Sequence, residues 1–156
     1  MIKRIGFTVL ALLAFSLAAQ AADMFSGTWV MNKAKSKLSN PEQVGGTVVL
    51  DARPDGGWKL NLSQTMKDGK TETWYYTCSA DGKECPAKVS NGNFDTISIK
   101  RVDANNAVTV MTKKGGKFKM TDTGVVSKDG KSLSGTSEGT DANGKHFSAV
   151  WFFDRK

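Results

Sequence analysis

The chain predicts an all-β fold, an up-and-down antiparallel meander of about ten strands closing into a barrel. Three observations lead there. Apolar and polar residues alternate with the period of a half-buried strand over most of the chain after residue 22. Short Asp-Gly, Asn-Gly and Gly-Gly turns separate the alternating arms. Between the arms there is no amphipathic helix to carry a parallel crossover. A meander with one apolar face and no helices to cover it hides that face by closing on itself, which also removes its exposed edges.

The first residues read as an export signal rather than as part of the fold. Lys3 and Arg4 precede an apolar run, Ile5 to Ala18, and Ala19-Gln20-Ala21 supplies the small residues of a cleavage site. Residues 1–21 are therefore expected to be removed and 22–156 to form one domain, periplasmic or secreted. The net charge of +7 becomes +5 once Lys3 and Arg4 are gone. A charge of that size favours solubility and anionic partners without specifying one. No other segment is apolar enough to span a membrane, so stable membrane insertion is not expected, and export argues against nucleic acid.

The mature part opens with Phe25, Trp29 and Met31 on one side of a first strand. Lys33 to Gly45 follows as a connection broken by Ser36, Asn40 and Pro41, with room for one helical turn. A second strand is expected over Thr47 to Ala52. With Asp55-Gly56-Gly57 as its turn, Leu50 would face Leu62 and Ala52 would face Leu60. The clearest hairpin comes next. Taking Lys67-Asp68-Gly69 as a three-residue loop pairs Leu62 with Trp74, Leu60 with Tyr76 and Trp58 with Cys78, all on one face. Cys78 and Cys85 lie symmetrically about Asp81-Gly82, and in an oxidising compartment they should form a disulfide. Pro86 marks an edge, a bulge or a short strand. Later strands carry Ile97 and Ile99, then Val108 and Val110, then Phe118 and Met120, then Leu133 to Glu138. The last strand places Phe147, Ala149, Trp151 and Phe153 on one face. Turns are expected at Asn91-Gly92, Ala104-Asn105-Asn106, Gly115-Gly116, Asp129-Gly130 and Asn143-Gly144.

Gly27-Thr28-Trp29 on a first strand, followed by a meander, resembles the start of the calycin superfamily of lipocalins, fatty-acid-binding proteins and avidins. The longer opening from Gly27 to Lys37, with Ser98-Ile99-Lys100-Arg101 and Val126 to Gly130, resembles a family of exported bacterial lipocalin-like proteins whose members carry no assigned activity. The resemblance implies a barrel and assigns it no activity. In fatty-acid-binding proteins an Arg-x-Tyr pair on the last strand holds the carboxylate. The equivalent positions here are Trp151 and Phe153, and Lys33 to Gly45 is too short for that family's helical lid. The likeness thus does not extend to that way of holding a fatty acid.

Chemistry is sparse. Gly135-Thr136-Ser137-Glu138-Gly139 matches a G-x-S-x-G nucleophile elbow, but a turn follows it instead of a helix, and the lone histidine, His146, reads as a solvated strand residue. Asp103-Ala-Asn105 and Asp141-Ala-Asn143 lack the glycine and distal glutamate of a calcium loop. One histidine and a paired cysteine couple leave a transition metal with too few ligands. No enzyme, cofactor or metal is expected. What remains is the interior. Trp58, Leu60, Leu62, Trp74, Tyr76, Ile97, Ile99, Val110, Met120, Phe147 and Trp151 are expected to point inward and, Val110 apart, to be the residues that bind a small lipophilic or aromatic ligand. Tyr76 offers a hydroxyl, Asp122 shares the parity of Phe118 and Met120, and Gln64 and Glu72 face each other near a mouth. The alternative is a solid-cored envelope interaction or inhibitor module, acting through its outer face or the hairpin tip carrying Lys113, Lys114, Lys117 and Lys119.

Overall fold

The computed structural model describes residues 23–156, so the expected export signal lies outside the described residues. The described chain forms ten antiparallel strands: β1 Gly27–Met31, β2 Gln43–Ala52, β3 Trp58–Met66, β4 Thr71–Cys78, β5 Asp81–Val89, β6 Thr96–Arg101, β7 Asn106–Thr112, β8 Lys119–Val126, β9 Ser132–Thr140 and β10 His146–Arg155. Each strand pairs with its neighbour in sequence, and β1 pairs with β10 to close the barrel. None of the described helices is long and apolar enough to cross a membrane.

The β3–β4 register is the expected one: Leu62 pairs with Trp74, Leu60 with Tyr76 and Trp58 with Cys78. The β2–β3 register differs. Leu50 pairs with Leu60 and Ala52 with Trp58, two residues from expectation. The loop is Pro54-Asp55-Gly56, closed by Arg53 N–H donating to Gly57 O, with Gly56 at φ 77° as its left-handed residue. Gly57 cannot take that place because it packs directly beneath β4, where a Cβ would lie 1.9 Å from Cys78 O. A shift of two preserves parity, so the apolar face survives it. β2 also starts earlier than Thr47, at Gln43, through a bulge between Gln43 and Gly45.

Seam and staple complete the wall. The direct β1–β10 ladder spans only Trp29 to Met31. The 3-10 turn Lys33–Lys35 then carries the chain along β10, where Lys37 and Val150 exchange two backbone bonds and Ser36 Oγ accepts from Phe152 N–H. The β4–β5 ladder stops at Tyr76–Ala87. Ala87 N–H points to the β6 side, donating to Asp95 O, so the neighbouring position that should donate to β4 is Pro86, which has no N–H. Just past that gap Cys78 and Cys85 are joined by a disulfide, with Cα atoms 5.6 Å apart.

One end of the barrel is solid. Trp29 is fully buried, its Nε1–H donates to Phe25 O at 2.8 Å, and the Arg155 guanidinium lies 4.1 Å from its ring. Arg155 also donates to the carbonyls of Met24, Ser26 and Gly130, tying together the N-terminal segment, the β8–β9 turn and the last strand. Alongside, Phe25 packs on Trp58 with centroids 5.0 Å apart, and Arg101 covers both rings while pairing with Asp23 and donating to Gly56 O. The core therefore sits toward this end. The opposite end is where the cavity opens.

Candidate functional site

The barrel encloses a cavity of about 880 Å³, within the range of small-molecule sites. Its walls are the inward residues of nearly every strand, because alternate residues of a closed sheet must face the lumen. Val48 and Leu50 of β2, Leu60 and Leu62 of β3, and Trp74 and Tyr76 of β4 line one side. Ala107, Thr109 and Met111 of β7, Met120 and Asp122 of β8, Leu133 and Ser137 of β9, and Phe147, Ala149, Trp151 and Phe153 of β10 line the other. Phe25 and Trp58 form the floor. Around the mouth stand Leu38 to Pro41, Gln43, Gln64, Glu72, Asn91, Asn93, Asp141, Lys145 and His146.

Of the residues expected to bind a ligand, Trp58, Leu60, Leu62, Trp74, Tyr76, Met120, Phe147 and Trp151 have surface on this cavity. Ile97 and Ile99 point the same way but have none. They are fully enclosed in the core cluster that also holds Tyr76, Phe94 and Met111, so they support the wall instead of lining the lumen. Val110 points outward. On β7 it is Thr109 and Met111 that pair with Ile99 and Ile97 on one side and with Asp122 and Met120 on the other, leaving Val108 and Val110 on the outer face. The Val-x-Val spacing gave the right period with the wrong parity, and only the register to neighbouring strands resolves it.

Phe94 is a lining residue that sequence reasoning missed, as are Ala107, Thr109 and Met111 of β7. It sits in the polar loop after Asn91-Gly92, yet is buried. Its ring meets Trp74 edge-on at 5.0 Å and stacks on Phe118 at 5.8 Å, and Phe118 continues to Phe147 at 6.3 Å. The three contacts form an aromatic arc near the mouth. A single phenylalanine among turn residues was its only signal.

The G-x-S-x-G match lies wholly within β9, so it has no strand-turn-helix geometry. Its glycine has another purpose. Gly135 faces Gly124 across the β8–β9 ladder, and a Cβ on Gly135 would fall 2.1 Å from Thr123 O and 2.5 Å from the Trp151 ring. The bare backbone makes the flat bed on which Trp151 lies. Ser137 Oγ accepts from Trp151 Nε1–H at 3.0 Å, which fixes the ring's rotation. Asp103 and Asp141 spend their carboxylates on turn N–H groups, those of Asn105 and Asn106 and those of Asn143 and Lys145. At the lysine-rich tip, Lys113 pairs with Asp95 at 3.4 Å, and Asp95 also accepts from Lys114 N–H.

Polar groups inside the lumen are few. Asp122 stands on β8 between Thr109 and Ser137 on the adjacent strands. Burial pushes its carboxyl up to about 6, with the Ser137 hydroxyl pulling the other way. The Tyr76 phenol is pushed well above its ordinary range, by burial first and then by the negative charge of Asp122. Among the described residues, Asp122 Oδ1, Trp58 Nε1 and Trp74 Nε1 have no hydrogen-bond partner. Nearer the mouth, Glu72 pairs across the ladder with Gln64 and accepts from Asn91 Nδ2 at 2.7 Å.

No family model matches the chain, and no curated protein sequence matches it. Solved structures share its fold. The wild-type fluorescent protein UnaG is 15% identical with a TM-score of 0.58, covering 85% of this chain and 97% of its own. A Schistosoma mansoni fatty acid binding protein, solved in complex with arachidonic acid, is 14% identical with a TM-score of 0.55, covering 85% of this chain and 96% of its own. The chain thus has the calycin-type barrel fold that its opening strand resembles.

Proposed function

We propose that this protein is an exported binding protein that holds a small lipophilic or aromatic ligand inside its barrel and performs no catalysis on it. The observation that carries the reading is the cavity itself: about 880 Å³, open at one end and walled by Trp58, Leu60, Leu62, Trp74, Met120, Phe147 and Trp151. A barrel built only as an interaction module would fill that space, since an apolar void sacrifices packing contacts. The aromatic walls supply apolar contact, and the few polar groups among them would orient the guest. A structural relative solved with arachidonic acid supports binding within this kind of barrel. Export is supported by the leader pattern before Ala22 and by the Cys78–Cys85 disulfide, which suits an oxidising compartment.

Titration with N-phenyl-1-naphthylamine, a neutral lipophilic fluorophore, tests the binding reading. Saturable one-to-one enhancement of its emission is expected, together with a retained small molecule in native mass spectra of protein purified gently from its own source. Absence of saturable binding would return attention to the outer surface and the lysine-rich tip. For export, the mass of the mature product should correspond to a chain starting at Ala22. An intact Met1 on the secreted or periplasmic protein would overturn it.

A further inference from the structure

The charge distribution of the cavity is opposite to that of the whole chain. The protein carries net +7, yet the charged residues of the cavity are Asp122 inside it and Glu72, Asp141 and Lys145 around the mouth, beside His146. Among the described residues no arginine lines the cavity, and the Trp151 and Phe153 positions of the last strand offer no cation. Asp122 is the deepest of the carboxylates. Its neighbours on β7 and β9 are Thr109 and Ser137, neither of them charged, and Tyr76 is the titratable group whose environment it influences from β4. Its Oδ1 has no hydrogen-bond partner among the described residues.

From this juxtaposition, and resting on the binding reading above, we infer that the barrel selects a lipophilic amine bound as its ammonium, the charged nitrogen donating to Asp122. A carboxylate ligand is disfavoured, because it would bring a second negative charge beside Asp122 with no cation in the lumen to offset either. The desolvation cost of Asp122 is already met in the folded protein, so an ammonium group that reaches it adds only its own. Trp58 Nε1, Trp74 Nε1 and the Tyr76 hydroxyl add polar points around the same lumen, while the aromatic arc of Phe94, Phe118 and Phe147 covers the hydrocarbon.

The experiment uses matched guests differing only in the head group. Dodecylamine, dodecanol and dodecanoic acid compete for N-phenyl-1-naphthylamine on the mature protein at pH 7.5. Dodecylamine should displace the probe at a concentration about tenfold lower than either of the others, the scale of one charge-assisted hydrogen bond. In Asp122→Asn that advantage should disappear while the probe still binds, which also shows that the variant is folded. The amine's advantage should shrink in the wild type as pH falls below about 6, where Asp122 takes up a proton. Its persistence in Asp122→Asn would assign it to Glu72 or the rim and overturn the role of Asp122. Equal displacement by all three, or a lead for the acid, overturns the inference and leaves barrel binding intact. Failure of the probe itself to bind defeats the binding reading, and this inference with it.

Discussion

Replacing Trp74 with alanine separates a lumen wall from a core filler. Trp74 is half-buried, has surface on the cavity, and packs edge-on against Phe94 at 5.0 Å. Its Nε1 has no partner to lose. A tryptophan packed on all sides costs ~3–5 kcal/mol on truncation. With one face on the lumen, Trp74 should cost about 1.5–2.5 kcal/mol, part of it the ~0.5–1.5 kcal/mol of its aromatic pairing. Binding should suffer comparably. A guest that covers about 60–80 Å² of the ring loses ~1.5–2 kcal/mol, or roughly 10–30-fold in affinity. Trp29→Phe supplies the contrast. Trp29 is fully buried, hydrogen-bonded to Phe25 O and covered by Arg155, but has no cavity surface. It should lose about 1.5–3 kcal/mol of stability with affinity unchanged. Stability is read by urea denaturation with the disulfide intact, and affinity from the emission of N-phenyl-1-naphthylamine, which does not depend on the number of tryptophans. If Trp74→Ala loses the ~3–5 kcal/mol of a tryptophan packed on all sides with its dissociation constant unchanged, Trp74 is core and the lumen reading of this wall is wrong.

Unfolded, unreduced protein should titrate with no free thiol. Opening the Cys78–Cys85 bridge across a separation of 7 residues should cost about 2.5 kcal/mol by loop closure alone; an unchanged denaturation midpoint after reduction would refute that. Asp122 predicts an inverted pH profile. Its folded value of about 6 lies above an unfolded value near ~3.9, so its destabilisation is complete above pH 6 and is relieved as pH falls toward 4. Asp122→Asn should therefore stabilise the barrel by about 1–3 kcal/mol at pH 7.5 and by little at pH 4. The difference between the two proteins is the readout, because exposed carboxylates such as Asp55 and Asp103, held below the usual range by Arg53 and Asn106 respectively, shift stability the opposite way. Gly135→Ala should lower stability by about 3 kcal/mol and weaken probe binding, since its Cβ collides with Thr123 O and lifts the Trp151 ring. Normal melting would contradict that packing.

The sequence by itself determined the architecture. Period-two alternation, turns rich in glycine and the lack of a covering helix leave closure as the way to bury one apolar face. It also determined the β3–β4 register, because Lys67-Asp68-Gly69 places its left-handed glycine at the one loop position that matches the apolar pairs on both arms. Where a turn holds two adjacent glycines, that information is degenerate. Gly56 and Gly57 read alike, and only the approach of β4 to Gly57 decides which one bends. Parity on β7 was ambiguous for a similar reason: Val108 and Val110 are apolar, but so are Ala107 and Met111, and the pairing to Ile97 and Met120 chooses between the sets. Depth within the barrel has no sequence signature. Ile99 and Leu60 look equally inward along their strands, yet one is walled in and the other has surface on the lumen. Phe94 and Asp122 acquire their places in the same way, because a cavity belongs to strands distant in sequence and exists only once the sheet has closed.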